Sequence, residues 1–162
     1  MDLPKGWTAK ESNKYPGKTY YINNFTGETT WNFPTHPAQP SHDQVQVYHI
    51  LRKHNGSRRP ASWRSDRITQ SIDEARQQVR AIRDELMRIE QERGFDAMFA
   101  RFQQIAETES DCGSHERGGD LGMFGRGQMQ KPFEDASFSI KVHELSDLVE
   151  TDSGVHVLLR IK

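Results

Sequence analysis

The stretch LPKGWTAKESNKYPGKTYYINNFTGETTWNFP, residues 3–34, decides the architecture of the first part of the chain. It contains two turn signals, Tyr15-Pro16-Gly17-Lys18 and Asn23-Asn24-Phe25-Thr26-Gly27. There Gly and Asn tolerate the left-handed backbone and Pro presets φ, as tight turns require. Between the turns lies Thr19-Tyr20-Tyr21-Ile22, and after them Thr29-Thr30-Trp31, both short, β-branched and aromatic, with no helical period. The pattern predicts a three-stranded antiparallel meander. So small a sheet is marginal without a packed apolar face, which Trp7 clasped by Pro34 supplies.

Outward from this module, the 162 residues leave room for one further moderate core but not for two large domains. With 33% hydrophobic and 28% charged residues, the composition is that of a soluble protein with much exposed surface. Its longest apolar runs, such as Val155 to Leu159, fall far short of the roughly 20 residues of a membrane-spanning helix. Met1 to Thr8 has no apolar signal core. No membrane role is expected. Cys112 is the only cysteine, which excludes an internal disulfide and points to a reducing compartment, cytosol or nucleus.

Charge is balanced overall but not locally: Arg52, Lys53, Arg58, Arg59, Arg64 and Arg67 crowd one stretch in which Asp66 is the only acid. That excess suits an anionic partner. The near-neutral pI and the lack of a long basic run argue against nucleic acid. Scattered histidines and a single thiol give no metal-ligand spacing, and no nucleotide-binding loop is present, so neither metal nor cofactor is expected.

The run with Pro37, Pro40, Ser41, His42 and Asp43 reads as a short flexible linker over residues 37–44, dividing a module over 1–36 from a domain over 45–162. In that domain Val45 to Leu51 alternates as a strand, with Val45, Val47 and His49 on one face and Gln46 and Tyr48 on the other. Thr69 to Glu74 begins a helix, with Ala75, Val79, Ile82, Leu86 and Ile89 at helical spacing, ending near Gly94. Phe95, Met98, Phe99, Phe102 and Ile105 continue the spacing in a second helix. Asp111 to Gln128 is Gly-rich and loop-like, Pro132 to Ser137 suggests a short helix, and Val155 to Ile161 a closing strand. The sum is an α+β domain whose first and last strands are neighbours.

The opening Leu3-Pro4-Lys5-Gly6-Trp7, the middle Tyr20-Tyr21-Ile22-Asn23 and the closing Trp31 with Pro34 together resemble the WW domain family. The resemblance implies that Trp7 and Pro34 are structural, while Trp31 and Tyr20 grip a proline-rich ligand. Flat rings can sandwich a preformed polyproline II segment, which loses little entropy on binding. Phosphate-selective members use Ser and Arg in the first loop. This chain has Ser12, then Asn13 and Lys14, with no Arg and a loop one residue longer. Ser12, Tyr20 and Trp31 are thus the expected ligand-binding residues of this module.

Four further segments resemble the parvulin family, especially its WW-linked, mitotic phospho-specific branch. They are His49 to His54, Ser57-Arg58-Arg59-Pro60, Gly119-Asp120-Leu121-Gly122 through Gly127 to Phe133, and Asp152 to His156. The resemblance implies an FKBP-like domain, a mixed or antiparallel sheet flanked by helices. It implies a peptidyl-prolyl cis/trans isomerase, working without a cofactor on phospho-Ser/Thr-Pro bonds of signalling, cell-cycle and transcription proteins. Partners would include the RNA polymerase II C-terminal repeats and mitotic phosphoproteins, met by a monomer in nucleus and cytoplasm.

Carried over by position, Lys53, Arg58 and Arg59 hold the phosphate, which two guanidinium forks and one ammonium suit through charge-assisted hydrogen bonds. Leu121, Met129, Gln130 and Phe133 form the proline pocket. His49, His156, Cys112 and Thr151 make a hydrogen-bonded network near the reacting carbonyl, and Ser153 with Gln130 meets the substrate backbone. Two positions depart from the family: Tyr48, expected to fill space near the back wall of the site, and extra helical length from Gly94 to Arg101. Two other functions stay open on the residues alone. Cys112 beside His49 or His156 could serve a cysteine hydrolase, and both modules could capture phosphopeptides as an idle adaptor.

Overall fold

A computed structural model describes residues 2–38 and 44–162, and its contacts divide them into two compact units. The first comprises Met1–Gln44 with Gly125–Met129, the second Val45–Phe124 with Gln130–Lys162. Most of the expected linker, residues 39–43, lies outside the described residues.

In the first unit β1 (Trp7–Glu11), β2 (Thr19–Asn23) and β3 (Thr29–Thr30) form an antiparallel sheet in chain order, Trp7 opposite Asn23 and Tyr21 opposite Thr30. The first turn closes where Lys18 N–H donates to Tyr15 O at 3.1 Å and the Ser12 hydroxyl oxygen accepts from Tyr15 N–H at 3.0 Å. In the second, Asn23 Oδ1 accepts from Phe25 N–H at 2.8 Å, the local side-chain bond that makes Asn a turn residue. Pro34 is buried, and the chain returns toward its start: Trp7 Nε1 donates to His36 O at 2.9 Å and Ala38 N–H to Lys5 O at 2.9 Å.

The second unit is a four-stranded sheet of order β5-β4-β7-β6, built from β4 (Gln44–Arg52), β5 (Asp120–Gly125), β6 (Val149–Thr151) and β7 (Gly154–Arg160). Three helices accompany it: α1 (Ile72–Arg93), α2 (Phe95–Glu109) and α3 (Lys131–Ser139). Strand β4 runs antiparallel to β7, with His49 opposite Leu158 and Leu51 opposite His156. Alternation sends Ile50, Val155, Val157 and Leu159 into one core with Val79 and Leu86 of α1 and Met98, Phe102 and Ile105 of α2. His49, Leu51, His156 and Leu158 therefore leave the sheet on its other face. Because both faces are covered, Gly154 to Leu159 are buried without interruption.

Ser71 starts α1 as its N-cap, accepting from Glu74 N–H at 3.1 Å, with Asp73 and Glu74 in the first turn where negative charge complements the free N–H groups. Gly94, at φ +89, ends α1 and begins α2. Pro132 lies in the first turn of α3, where its missing N–H costs nothing.

The segment expected to be loop-like holds a 3₁₀ turn, Gly113–Arg117, and the strand β5. Its glycines conceal the strand from a periodicity argument. At Gly119 they are required: its carbonyl accepts from His49 N–H at 2.9 Å, and a Cβ there would stand 2.5 Å from His49 O. Tyr48 and the stretch from Gly94 to Arg101, the two expected departures from the family, meet in the structure. Tyr48 points to the helix side of the sheet, not to the back wall of the site, and meets Phe99 edge-on at 4.9 Å. Phe95, one turn earlier in α2, stacks on His143 at 3.9 Å. This stretch of α2 is thus anchored by aromatic contacts on both sides.

Candidate active site

On the sheet face turned away from α1 and α2, antiparallel register makes His49 and His156 diagonal neighbours, within reach of one another. Their rings stack at 5.2 Å, and His49 Nδ1 meets His156 Nδ1 at 3.0 Å. His156 Nε2 in turn lies 2.7 Å from Thr151 Oγ1, which also accepts from Ser153 N–H at 3.1 Å. Burial, and then the charge on His49, holds His156 well below the ordinary histidine pKa, so this ring is neutral. With the His156 ring neutral, its Nδ1 shares one hydrogen bond with His49 and its Nε2 another with Thr151.

Phe133 rises from the first turn of α3 and packs edge-on against both imidazoles, 5.4 Å from His49 and 5.2 Å from His156. It is only 4% exposed, and Phe124 of β5 lies 6.2 Å away. Leu121, on the same strand as Phe124, is half-buried. Met129 ends the Gly125–Met129 segment that belongs to the first unit, and directly precedes Gln130 in the chain.

Cys112 caps the 3₁₀ turn, its sulfur accepting from Ser114 N–H at 3.5 Å. Burial, the largest single influence, pushes the thiol up. Hydrogen bonding and charge from His49, together with Ser114, outweigh it and hold the thiol at about 6, against an ordinary 9.0. His49 Nε2 and Ser114 Oγ, the two groups that draw the thiol down, are themselves buried without a hydrogen bond of ordinary length among the described residues. Both are thus poised toward the sulfur, not committed elsewhere.

An unfolded chain titrates this thiol near 9 and the folded chain near 6, so the folded state binds fewer protons between those values. Stability then rises with pH from about 6 toward 9 and is lost as pH falls through 6. His156 acts in the same sense below about 6.5, where the unfolded imidazole takes a proton that the buried one refuses. Alkylation of Cys112 by iodoacetamide is expected to show a midpoint near pH 6, moved upward by His49→Gln. A midpoint above 8 in the native protein would contradict the pairing.

The basic residues occupy the end of β4 and the loop after it. Arg58 and Arg59 are exposed, and among the described residues no carboxylate pairs with either guanidinium. The Lys53 ammonium donates to the carbonyls of Arg59 at 3.1 Å and Ala61 at 2.8 Å, so this expected phosphate ligand also stitches its own loop together. Arg58 N–H donates to Asp152 O at 2.7 Å. From the other side, Gln130 Oε1 accepts from Asp152 N–H at 3.2 Å and Gln130 Nε2 donates to Ser153 Oγ at 3.1 Å. The basic loop and the start of α3, which carries Phe133, are thereby tied to one turn, Asp152-Ser153.

Sequence reasoning missed several supporting groups. Buried Asp111 accepts from Lys53 N–H at 2.8 Å and Ser62 Oγ at 2.9 Å, fastening the basic loop beside Cys112. Trp63 stacks on His115 at 3.7 Å and donates from Nε1 to Ser110 O at 2.7 Å, bracing the same loop. An Asp preceding the lone Cys and a Trp within a basic run were the available signals. In the first unit, Trp31 meets Tyr20 edge-on at 5.9 Å, and with Ser12 and Thr29 they line a cleft of about 240 Å³.

Comparison with known proteins finds a PPIC-type PPIase domain model matching residues 49–162 and a WW domain model matching residues 3–34. The chain is 45% identical to the peptidyl-prolyl cis-trans isomerase pin1 of Rhizopus delemar, covering 99% of each. It is 41% identical to the peptidyl-prolyl cis-trans isomerase ESS1 of Saccharomyces cerevisiae, over 98% of this chain and 94% of that one. The solved peptidyl-prolyl isomerase ESS1 from Candida albicans matches with a TM-score of 0.62 and 38% identity, covering 99% of this chain and 96% of the other.

Proposed function

Because the chain belongs to the PPIC-type peptidyl-prolyl cis-trans isomerases and carries a WW domain ahead of the isomerase domain, we propose that its preferred bond is a prolyl amide preceded by phosphoserine or phosphothreonine. Support for this preference lies in the Asp152-Ser153 turn. Unpaired guanidinium groups are fastened to it by Arg58 N–H, and the ring-bearing start of α3 by Gln130. One amide can therefore span from a cation-lined loop to an aromatic slot.

Rotation of a prolyl amide crosses about 18–20 kcal/mol because conjugation is lost at the twisted geometry. No bond is broken, so the site needs only to bind the twisted amide more tightly than either planar form. Phe133 and Leu121 hold the pyrrolidine ring, while Lys53, Arg58 and Arg59 anchor the phosphate of the preceding residue. The ends of the bond are then gripped separately. Cys112 acts as a charge, not as a nucleophile. A planar amide places partial negative charge on its oxygen, and a neighbouring thiolate disfavours that form relative to the twisted one, whose oxygen carries less. His49, His156 and Thr151 keep the thiolate paired, and Ser153 and Gln130 meet the substrate backbone.

The substrates proposed are proteins phosphorylated before proline in signalling, the cell cycle and transcription, including RNA polymerase II C-terminal repeats, in nucleus and cytoplasm. The WW unit docks a second such motif through Tyr20, Trp31 and Ser12, which raises the effective concentration of the first at the isomerase site. Turnover of Ala-pSer-Pro, Ala-Glu-Pro and Ala-Ala-Pro peptides, followed by exchange NMR, tests the preference. The expected order is phosphoserine, then glutamate, then alanine. Equal rates on the phosphoserine and alanine peptides would overturn it.

A further inference from the structure

Arg52 is the first cation of the basic stretch, and its guanidinium is already committed within the protein. Nη1 donates to Glu109 O at 2.8 Å and Nε to Gln78 Oε1 at 2.9 Å. Glu109 ends α2, so its carbonyl has no later helical turn to bond, and a cation there complements the negative end of the helix. Gln78, in the second turn of α1, pairs its amide with that of Gln70, the residue before the N-cap Ser71. Gln78 Nε2 donates to Gln70 Oε1 at 2.6 Å, and Gln70 Nε2 returns a bond to Gln78 Oε1 at 3.0 Å. Gln70 Nε2 also donates to Lys53 O at 2.8 Å, while the Gln70 carbonyl accepts from Asn55 N–H at 2.8 Å.

These bonds have a direction. A guanidinium holds donors only, whereas a carboxamide can face its neighbour with either end. Arg52 therefore requires the oxygen of Gln78, which leaves the Gln78 N–H for the oxygen of Gln70, and so the Gln70 N–H for Lys53 O. All three side chains are half-buried, where a mismatched donor costs more than it does in open solvent. At the receiving end Lys53 N–H is held by Asp111 Oδ2 at 2.8 Å and Lys53 O by Gln70, so side chains fix both polar groups of its main chain. The Lys53 ammonium in turn holds Arg59 O and Ala61 O.

We propose that Gln70 is a positioning residue for phosphate selectivity, with Arg52 and Gln78 setting the direction of its amide. None of the three has to touch the substrate. The relay fixes the start of the loop from which Lys53, Arg58 and Arg59 project, so the cations are ordered before the phosphate arrives and less freedom is lost when it binds. The inference rests on the phosphate preference proposed above.

The test measures kcat and KM of the full chain on the Ala-pSer-Pro and Ala-Ala-Pro peptides. Gln70→Met keeps the length of the side chain and removes its amide. KM for the phosphopeptide is expected to rise about three- to tenfold, with kcat, and turnover of the Ala-Ala-Pro peptide, within about twofold of the native values. Gln78→Glu and Gln78→Met then separate direction from packing. Glutamate still accepts from Arg52 and from Gln70 Nε2, and is expected to keep the selectivity. Methionine fills similar space without that oxygen, and is expected to lose selectivity as Gln70→Met does. Packing alone ranks these two variants the other way, because a half-buried carboxylate is harder to accommodate than a thioether.

Selectivity that survives Gln70→Met, a loss shared equally by both peptides, or retention by Gln78→Met with loss in Gln78→Glu overturns the positioning role and leaves the phosphate preference standing. Equal turnover of the two peptides by the native protein overturns the preference and the relay together. None of the three residues belongs to the apolar core, so the variants keep the fold, which urea denaturation of each reports.

Discussion

Replacing Arg58 and Arg59 together by glutamate is expected to lower kcat/KM on a phosphoserine-proline peptide by about 10²- to 10³-fold while turnover of the Ala-Ala-Pro peptide stays within about twofold. A hydrogen bond to a charged partner contributes about 1.5–3 kcal/mol, and exposure of these side chains moves each toward the low end. Two such losses, plus repulsion from the new carboxylates, amount to roughly 3–4 kcal/mol, at 1.36 kcal/mol per factor of ten. The fold should tolerate the change because neither guanidinium is packed: it is the Arg58 backbone N–H, not the side chain, that fastens the loop to Asp152. Parallel loss on both peptides would mean that the loop supports the site without reading the phosphate. Lys53→Ala makes a poorer probe, since its ammonium also holds the carbonyls of Arg59 and Ala61.

Truncation of Phe133 should act on every substrate. The ring is 4% exposed and touches both histidines, so Phe133→Ala is expected to cost about 3–5 kcal/mol of stability. Against a typical total of about 5–15 kcal/mol, that leaves a marginal fold. Phe133→Leu separates packing from function. Apolar volume is largely kept, at a cost of less than about 1.5 kcal/mol, while the flat face is lost. The leucine variant is expected to lose about tenfold in kcat/KM on phosphorylated and unphosphorylated peptides alike, measured beside urea denaturation. Full activity on both peptides in that variant would reduce Phe133 to a core residue.

Much of this arrangement was legible in the chain because the signals were strong and local. Ser71 followed by Glu74 announced the start of α1, alternation through Val45, Val47 and His49 gave both the strand and its two faces, and turn residues bounded each strand of the WW sheet. What escaped depended on partners distant in sequence. Strand β5 has no alternation, since Gly122 and Gly125 interrupt it, and it is a strand because Gly119 lets its backbone lie against His49. Strand β6 has only three residues, too few for a period. Alternation along β4 gives the face of Tyr48 but not its partner, because the ring it meets, Phe99, lies fifty-one positions on. For the same reason Ser114 gave no warning, since only the fold turns its hydroxyl toward Cys112.

Strand β7, buried from Gly154 to Leu159 at the middle of the isomerase sheet, is synthesised after every other element of that sheet. Its pairing partner β4 leaves the ribosome about a hundred residues earlier and waits with an open hydrogen-bonding edge. Folding of this domain is therefore expected to complete only once β7 has emerged, whereas the WW sheet, closed by local turns, can form while the rest is still being translated. Nascent chains arrested before Gly154 should resist proteolysis over the WW unit alone; protection of α1 and α2 at that stage would contradict this order.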